Sequence, residues 1–475
     1  MKTDPEAPQL DLCQTSIDIL KVRCRELLSG ALDLPQLVFL DDYDAFSAAI
    51  NPDRVTDLVF FGGFVERFLE SGNWPVKEAR LWVISSASRD ALESLLGIPR
   101  QNIGLIPRNK IFTVSGAAPP IPGGAGQRAT WVFAGRISPT KNIELLVRTV
   151  HVLQRDWGRN IELQLIGDFD DQPHPDRGRR DGADHRAQIE SLVRALEWKV
   201  SPKIRPKMAA DEWFRQKFEN PVLVNLSTFI CEDFDVSLAQ AQAAGWPAIV
   251  SNWGGHRDAR EPGTLKIPPA LIGHSHLSSE VLGLHAEALA AHLAHALEQD
   301  LTEGMSGRPY DNDELEIPSL IRREQIDAAR QSFILKYHPT IQRVHRHGLV
   351  AFADSSQGRA FFSAYRAIFS GGPSRPFDLI FVNDLAPGGP DVGRTTTIFR
   401  KFLRESRSAG RDLVTMQYRE WSEPSSLFLL ARAQRIVFSF EAEGSQELMR
   451  FLLQDLGVSA ESIVRPDVGM AGELR

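Results

Sequence analysis

Short runs of β-branched, aromatic and leucine residues recur along the chain, and between them apolar residues return every three or four positions. QLVFL (36–40), DLVFF (57–61), RLWVI (80–84), TWVFAG (130–135) and IELQLIG (161–167) have the length and composition of buried strands. Helical spacing follows most of them, and strands alternating with helices predict parallel sheets in an α/β architecture. The periodic pattern breaks at SGAAPPIPGGAGQ (115–127), where Pro and Gly cluster. It breaks again across HPTIQRVHRHG (338–348) and SGGPSRP (370–376), after which FDLIFVND (377–384) starts a fresh strand. Three units are expected, over 1–118, 128–340 and 376–475. Residues 79–106 and 433–464 share an order of strand, Ser-containing turn, helix, LG(I/V) hinge and final strand, so both predict the same βαβ piece.

Composition sets limits on this picture. A chain of 475 residues with 43% hydrophobic positions can bury more than one core. Its 54 Lys and Arg against 61 Asp and Glu leave a net charge of −7, which gives no general attraction to nucleic acid. Any anion site must be local. The three cysteines, Cys13, Cys24 and Cys231, show no paired spacing, which fits a reducing compartment. No eighteen apolar residues run together and the N-terminus has no apolar signal region. The chain is expected in the cytoplasm, with peripheral contact at the inner face of the membrane left open.

WVFAGRISPTKNIELLV (131–147) ends a strand on Gly135, then sets Arg136 and Lys141 at the mouth of a helical pattern. Two cations above a strand-to-helix turn suit an anion, and the arginine fork suits phosphate. Surface cations on an ordinary βα turn are the bland alternative for this segment alone. A second segment, VLVNLSTFICEDFDVSLAQAQAAGWPAIVSNWGGHRD (222–258), brings a strand to Glu232, a helix with Asp235 as its N-cap, and a strand ending at Gly254-Gly255. Donors, cations and one carboxylate would thus gather at the carboxyl edge of a sheet, where open α/β folds bind ligands.

These segments resemble the retaining, nucleotide-sugar-dependent glycosyltransferases of family 4, which have the GT-B fold of two Rossmann-like domains. The likeness covers roughly residues 79 to 300. FAGRISPTKNIELLV is similar to the family's GRxxxxKG segment, and the resemblance implies that Gly135, Arg136 and Lys141 hold the donor diphosphate. EDFDVSLAQAQAAGWP resembles EGFGxxxxEAMAxGxP, which makes Glu232 the carboxylate that binds donor-sugar hydroxyls. Phe234, Asp235, Val236 and Gln240 would line the donor site with it. SNWGGHRD resembles the glycine-rich turn, which adds Gly254, Gly255 and His256 to that set. Glu232, Arg136 and Lys141 are the implied catalytic residues.

The departures are specific. Gln240 stands where the family has a second Glu, Asp233 and Asp235 replace two glycines, and Asp258 stands for Glu. Two aspartates beside a diphosphate would repel it. No histidine occurs before His151, whereas many family members place one in the acceptor cleft.

The resemblance implies sugar transfer from a nucleotide-diphosphate sugar, a UDP- or GDP-sugar, to a glycan or lipid-linked acceptor with retention of configuration, in surface polysaccharide or glycan assembly. No tightly bound cofactor and no nucleic-acid partner are expected. A non-catalytic GT-B module that binds or regulates a partner is the alternative. The unit at 376–475 resembles a GT-B N-terminal half, expected either as the front of a tandem enzyme or docked to complete a short acceptor side. LDDYD (40–44) and DFDD (168–171) are read as acidic loops, with no metal assigned. His285, His292 and His295 share one helical face, read as a packing or solvated surface, and His274 and His276 as loop residues.

Overall fold

The computed structural model describes residues 16–31, 37–39, 54–60, 76–112, 121–122, 127–169, 182–208, 210–229, 232–259, 263–272, 279–298, 315–329, 331–332, 368–371, 375–382, 390–417, 429–439, 445–456 and 458–464. The run at 40–44, residues 170–171, and His274 and His276 lie outside them. The architecture is mixed α/β with parallel sheets, as the strand and helix alternation predicts.

Strands β1 (Leu37–Phe39), β2 (Thr56–Phe60), β3 (Glu78–Val83) and β4 (Ile103–Leu105) run parallel and form the first sheet. The second sheet holds β5 (Arg128–Ala134), β6 (Asn160–Ile166), β7 (Lys203–Arg205), β8 (Pro221–Asn225), β9 (Ala248–Ser251) and β10 (Thr264–Ile267). Its spatial order is β10-β9-β8-β5-β6-β7, all parallel. The order reverses between β5 and β8. At such a point the loops leaving two neighbouring strands part to opposite faces and open a crevice at the carboxyl edge.

Residues 315–329, expected within the unit 128–340, add to the first sheet instead. Strand β11 (Ile321–Arg322) pairs antiparallel with β3, and Ile326 is buried with Leu81, Val83 and Leu92. The physical reason is an unpaired flank of β3 beyond the short β4, which β11 covers. Strands β12 (Phe377–Val382), β13 (Asp412–Gln417), β14 (Ile436–Phe438) and β15 (Ile463–Val464) form a third parallel sheet in the order β13-β12-β14-β15.

The helix Ser279–Glu298 explains where that third sheet sits. It is apolar nearly all round, which fits a helix buried on two sides. Leu282, Ala286, Leu289 and Leu293 join the core of the second sheet with Trp131, Leu163 and Val150. Leu284 and Ala288 meet Ile380, Phe399, Phe402 and Leu413 from the third. Each such leucine contributes roughly 1.5–3 kcal/mol by leaving water. His285 and His292 are buried on this helix, and His292 Nδ1 lies 2.9 Å from Asp412 Oδ1. The histidine face is therefore a packing face. Among the described residues, none of 377–464 enters the two clusters built on the first sheet.

Candidate functional site

The loop leaving β5 is fastened to the loop leaving β8. After Gly135 and Arg136 the chain makes a 3-10 turn at Pro139–Lys141, and Asn142 takes a left-handed φ of 55°. Asn142 Nδ2 donates to the Leu226 carbonyl at 2.8 Å and to Thr228 Oγ1 at 3.0 Å, while Thr228 N donates to the Thr140 carbonyl at 3.1 Å. This seam brings Lys141 against Glu232 in a buried, hydrogen-bonded ion pair. Both cations approach the ring of Phe229, whose centroid is 5.8 Å from Arg136 Cζ and 5.7 Å from Lys141 Nζ. Burial alone would push the Glu232 carboxyl up, but the charges of Lys141 and His256 hold it below its ordinary value. Arg136 and Gly135 remain exposed at the carboxyl edge. Of the expected residues, Arg136, Lys141 and Glu232 are thus together around one ring.

Asp235 turns inward. It caps the helix Val236–Ala243 with a left-handed φ of 53°, accepting from Leu238 N at 3.2 Å and Ser237 Oγ at 2.6 Å. Asn225 Nδ2 donates to its other oxygen at 2.8 Å, and His256 Nε2 lies 2.9 Å from it. Burial opposes ionisation, yet the hydrogen bond and charge of His256 hold this carboxyl far below the usual range. Ser251 Oγ donates to the Ser227 carbonyl at 2.5 Å and so can only accept from His256 Nδ1, 2.8 Å away. His256 is thus held through both ring nitrogens, between Ser251 and Asp235. Both oxygens of the Asp235 carboxylate are engaged by neighbouring side chains and amides.

The two glycines of the turn serve packing. Gly254 has a φ of 53°, and a Cβ there would come within 2.1 Å of the Glu232 carbonyl oxygen. One on Gly255 would come within 1.7 Å of the Asp233 carbonyl oxygen, and Gly255 N already donates to the Glu232 carbonyl at 2.8 Å. Their freedom lets the turn press on the Glu232–Asp233 backbone. Phe234 and Val236, expected at the donor, pack into a cluster of the first sheet with Phe39, Val59 and Trp82. Gln240 is half-buried on the helix Val236–Ala243.

Asp233 and Asp258 reach across to the first sheet's unit. Ser85 caps the helix Ser86–Leu96, its Oγ accepting from Ser88 N at 3.1 Å. Asp233 Oδ1 takes hydroxyl donations from Ser85 and, at 2.5 Å, from Ser88. Asp258 accepts from Ser86 N at 2.7 Å and Ser86 Oγ at 2.5 Å. Carboxylates at a helix N-terminus are favoured by the exposed amides and the helix dipole. Burial, with Asp258 and Glu232 nearby, pushes the Asp233 carboxyl up to about 6 against the lowering effect of the two serines. Arg257 extends the contact, donating to the Ile368 carbonyl at 2.7 Å. Gly371 N donates to the Asn252 carbonyl at 2.7 Å, so 368–371 straps the turn from outside.

The serines and Arg108 were not picked out from the sequence. SSASRD (85–90) after a strand carries an N-cap signal, but its partners lie about 150 and 170 residues away. Among the described residues, no three His, Cys, Asp or Glu side chains are grouped to hold a metal, and no helix is long and apolar enough to cross a membrane.

No protein-family profile matches the chain, and no curated protein matches it. Several solved structures align with part of the chain. A lipopolysaccharide outer core galactosyltransferase, WaaB, in its apo form is 18% identical with a TM-score of 0.38, over 67% of this chain and 80% of that one. A glycosyltransferase from Rickettsia africae is 12% identical with a TM-score of 0.36, over 78% and 84%. WaaG, a glycosyltransferase involved in lipopolysaccharide biosynthesis, is 12% identical with a TM-score of 0.32, over 70% and 81%.

Proposed function

We propose that the chain is a glycosyltransferase that moves a sugar from a nucleotide-diphosphate sugar to a glycan or lipid-linked acceptor, with retention of configuration. The observation that carries this reading is the convergence of Arg136, Lys141 and Glu232 around Phe229 at the reversal of strand order between β5 and β8. Arg136 and Lys141 would hold the diphosphate and offset the charge that grows on it as the sugar leaves. Glu232 would accept hydrogen bonds from sugar hydroxyls, a role that suits a buried carboxylate kept ionised by a lysine. In such a transfer the enzyme chiefly orients two substrates and excludes water. The closed seam between the first and second sheets suits that task. The three-unit division at 1–118, 128–340 and 376–475 belongs to the same proposal, with 315–329 moved to the first unit.

Calorimetry of the full chain against UDP, GDP, ADP and dTDP, followed by hydrolysis assays with the matching sugars, tests the reading. One diphosphate should bind, and Arg136→Ala should weaken it while leaving the fold intact. Failure of all four to bind would instead favour a non-catalytic module.

A further inference from the structure

The loop leaving β4 carries an arginine that the proposed donor site does not yet use. Arg108 opens the short turn Arg108–Ile111 at the carboxyl edge of the first sheet. Its Nη2 donates to the Asp235 carbonyl at 3.1 Å, and its Cζ sits 4.4 Å from the centroid of Phe234. A main-chain acceptor and a stacked ring hold the guanidinium plane in one orientation against the loop that carries Glu232. Its Nη1 is buried and has no hydrogen-bond acceptor among the described residues. A buried guanidinium N–H left unpaired is costly, and burial pushes the whole group below its ordinary pKa.

The carboxylates around it are each committed elsewhere. Asp235 is met by His256, Asp258 by Ser86, Glu232 by Lys141 and Asp233 by Ser85 and Ser88. They bias the region in favour of a cation, yet none supplies a direct side-chain acceptor to Arg108 among the described residues. The group that would satisfy Nη1 has the chemistry of an anionic oxygen, and the region beside Glu232 is where it would sit.

We infer that Arg108 is a donor-binding residue contributed by the first unit, and that its Nη1–H takes an oxygen of the sugar-proximal phosphate of the nucleotide diphosphate. This rests on the proposed function. Arg136 and Lys141 would then grip the diphosphate from the second unit while Arg108 grips it from the first, so that binding the donor and holding the cleft closed become one event. A nucleoside monophosphate, lacking the second phosphate, would not engage Arg108.

The test is a pair of titrations on the full chain, using whichever of UDP, GDP, ADP or dTDP binds most tightly and the monophosphate of the same base. Arg108→Ala should lower the diphosphate affinity about tenfold and leave the monophosphate affinity unchanged. Arg108→Gln keeps a donor for the Asp235 carbonyl without the charge, and it should show the same selective loss, which serves if the alanine variant does not fold. An unchanged ratio of diphosphate to monophosphate affinity in a folded variant overturns the assignment. A wild-type chain that binds no diphosphate overturns the proposed function itself, a separate outcome.

Discussion

Two pieces of the chain have one design and different surroundings. In residues 78–105, β3 leads to the helix Ser86–Leu96, a 3-10 turn at Arg100–Asn102 and the parallel β4. In residues 436–464, β14 leads to the helix Ser445–Arg450, a 3-10 turn at Ala460–Ser462 and the parallel β15. The first piece turns its helix N-terminus to Asp233 and Asp258, and the loop leaving β4 to Asp235. The second belongs to a sheet whose neighbour is the apolar helix Ser279–Glu298. The same backbone unit is therefore a wall of the candidate site in one place and a packing layer in the other. What separates them, among the described residues, is the segment 232–258, which supplies Asp233 and Asp258 to the first.

The strongest way to break the comparison is to remove the buried ion pair of the candidate site. Lys141→Ala leaves Glu232 buried and uncompensated, and should cost about 3–5 kcal/mol in chemical denaturation. A loss under about 1 kcal/mol would mean that Glu232 finds water or another cation. Ser85→Ala deletes both a helix cap and a donor to Asp233, and about 1–2 kcal/mol is expected from the same measurement. Ser459→Ala, which removes the exposed cap of the 3-10 turn in the second piece, should cost only a few tenths of that, within the scatter of surface changes.

Acid should sharpen the contrast further, since the two interfaces titrate with opposite sign. Asp233 is raised from 3.8 to about 6, so the folded chain binds more protons than the unfolded one between those values. The contribution of this contact to stability therefore grows as pH falls from 6 towards 4. At the third sheet burial would raise Asp412, but the charge and hydrogen bond of His292, with Arg375, hold it below its usual value. Its contribution is complete above that usual value and is lost as pH falls through the lowered one. Thermal melts from pH 7 to pH 4 should show Asp233→Asn losing its deficit or gaining on the wild type at the upper end. Asp412→Asn should be evenly damaging across that range, and melts carried below the usual carboxylate value of 3.8 should show its deficit shrinking. Matching trends in the two variants would remove the distinction between the interfaces.

The strands were legible because buried parallel strands have little choice but to be apolar and β-branched, as in RLWVI and TWVFAG. The convergence of Arg136, Lys141 and Glu232 was legible because it depends on two strand-to-helix turns of one sheet. The partners of Asp235 were not legible, since nothing local reveals that His256 and Asn225 meet its carboxylate from 21 and 10 residues away. The Ser85–Asp233 contact and the placement of Arg108 depend on how two sheets face one another, and local periodicity carries no information about that. Residues 315–329 escaped for a related reason, because a two-residue strand such as β11 has no period to read.

The helix Ser279–Glu298 has a consequence for synthesis. Its second apolar side is covered only when β12 to β14 have been made, and at roughly 5–20 residues per second that takes about ten seconds or more after the helix itself emerges. During that interval Leu284 and Ala288 are without the partners that bury them, on a nascent chain whose second sheet is otherwise complete. The chain thus passes through a stage that invites chaperone capture or association with another copy. A stop codon introduced before Phe377 would make that stage permanent.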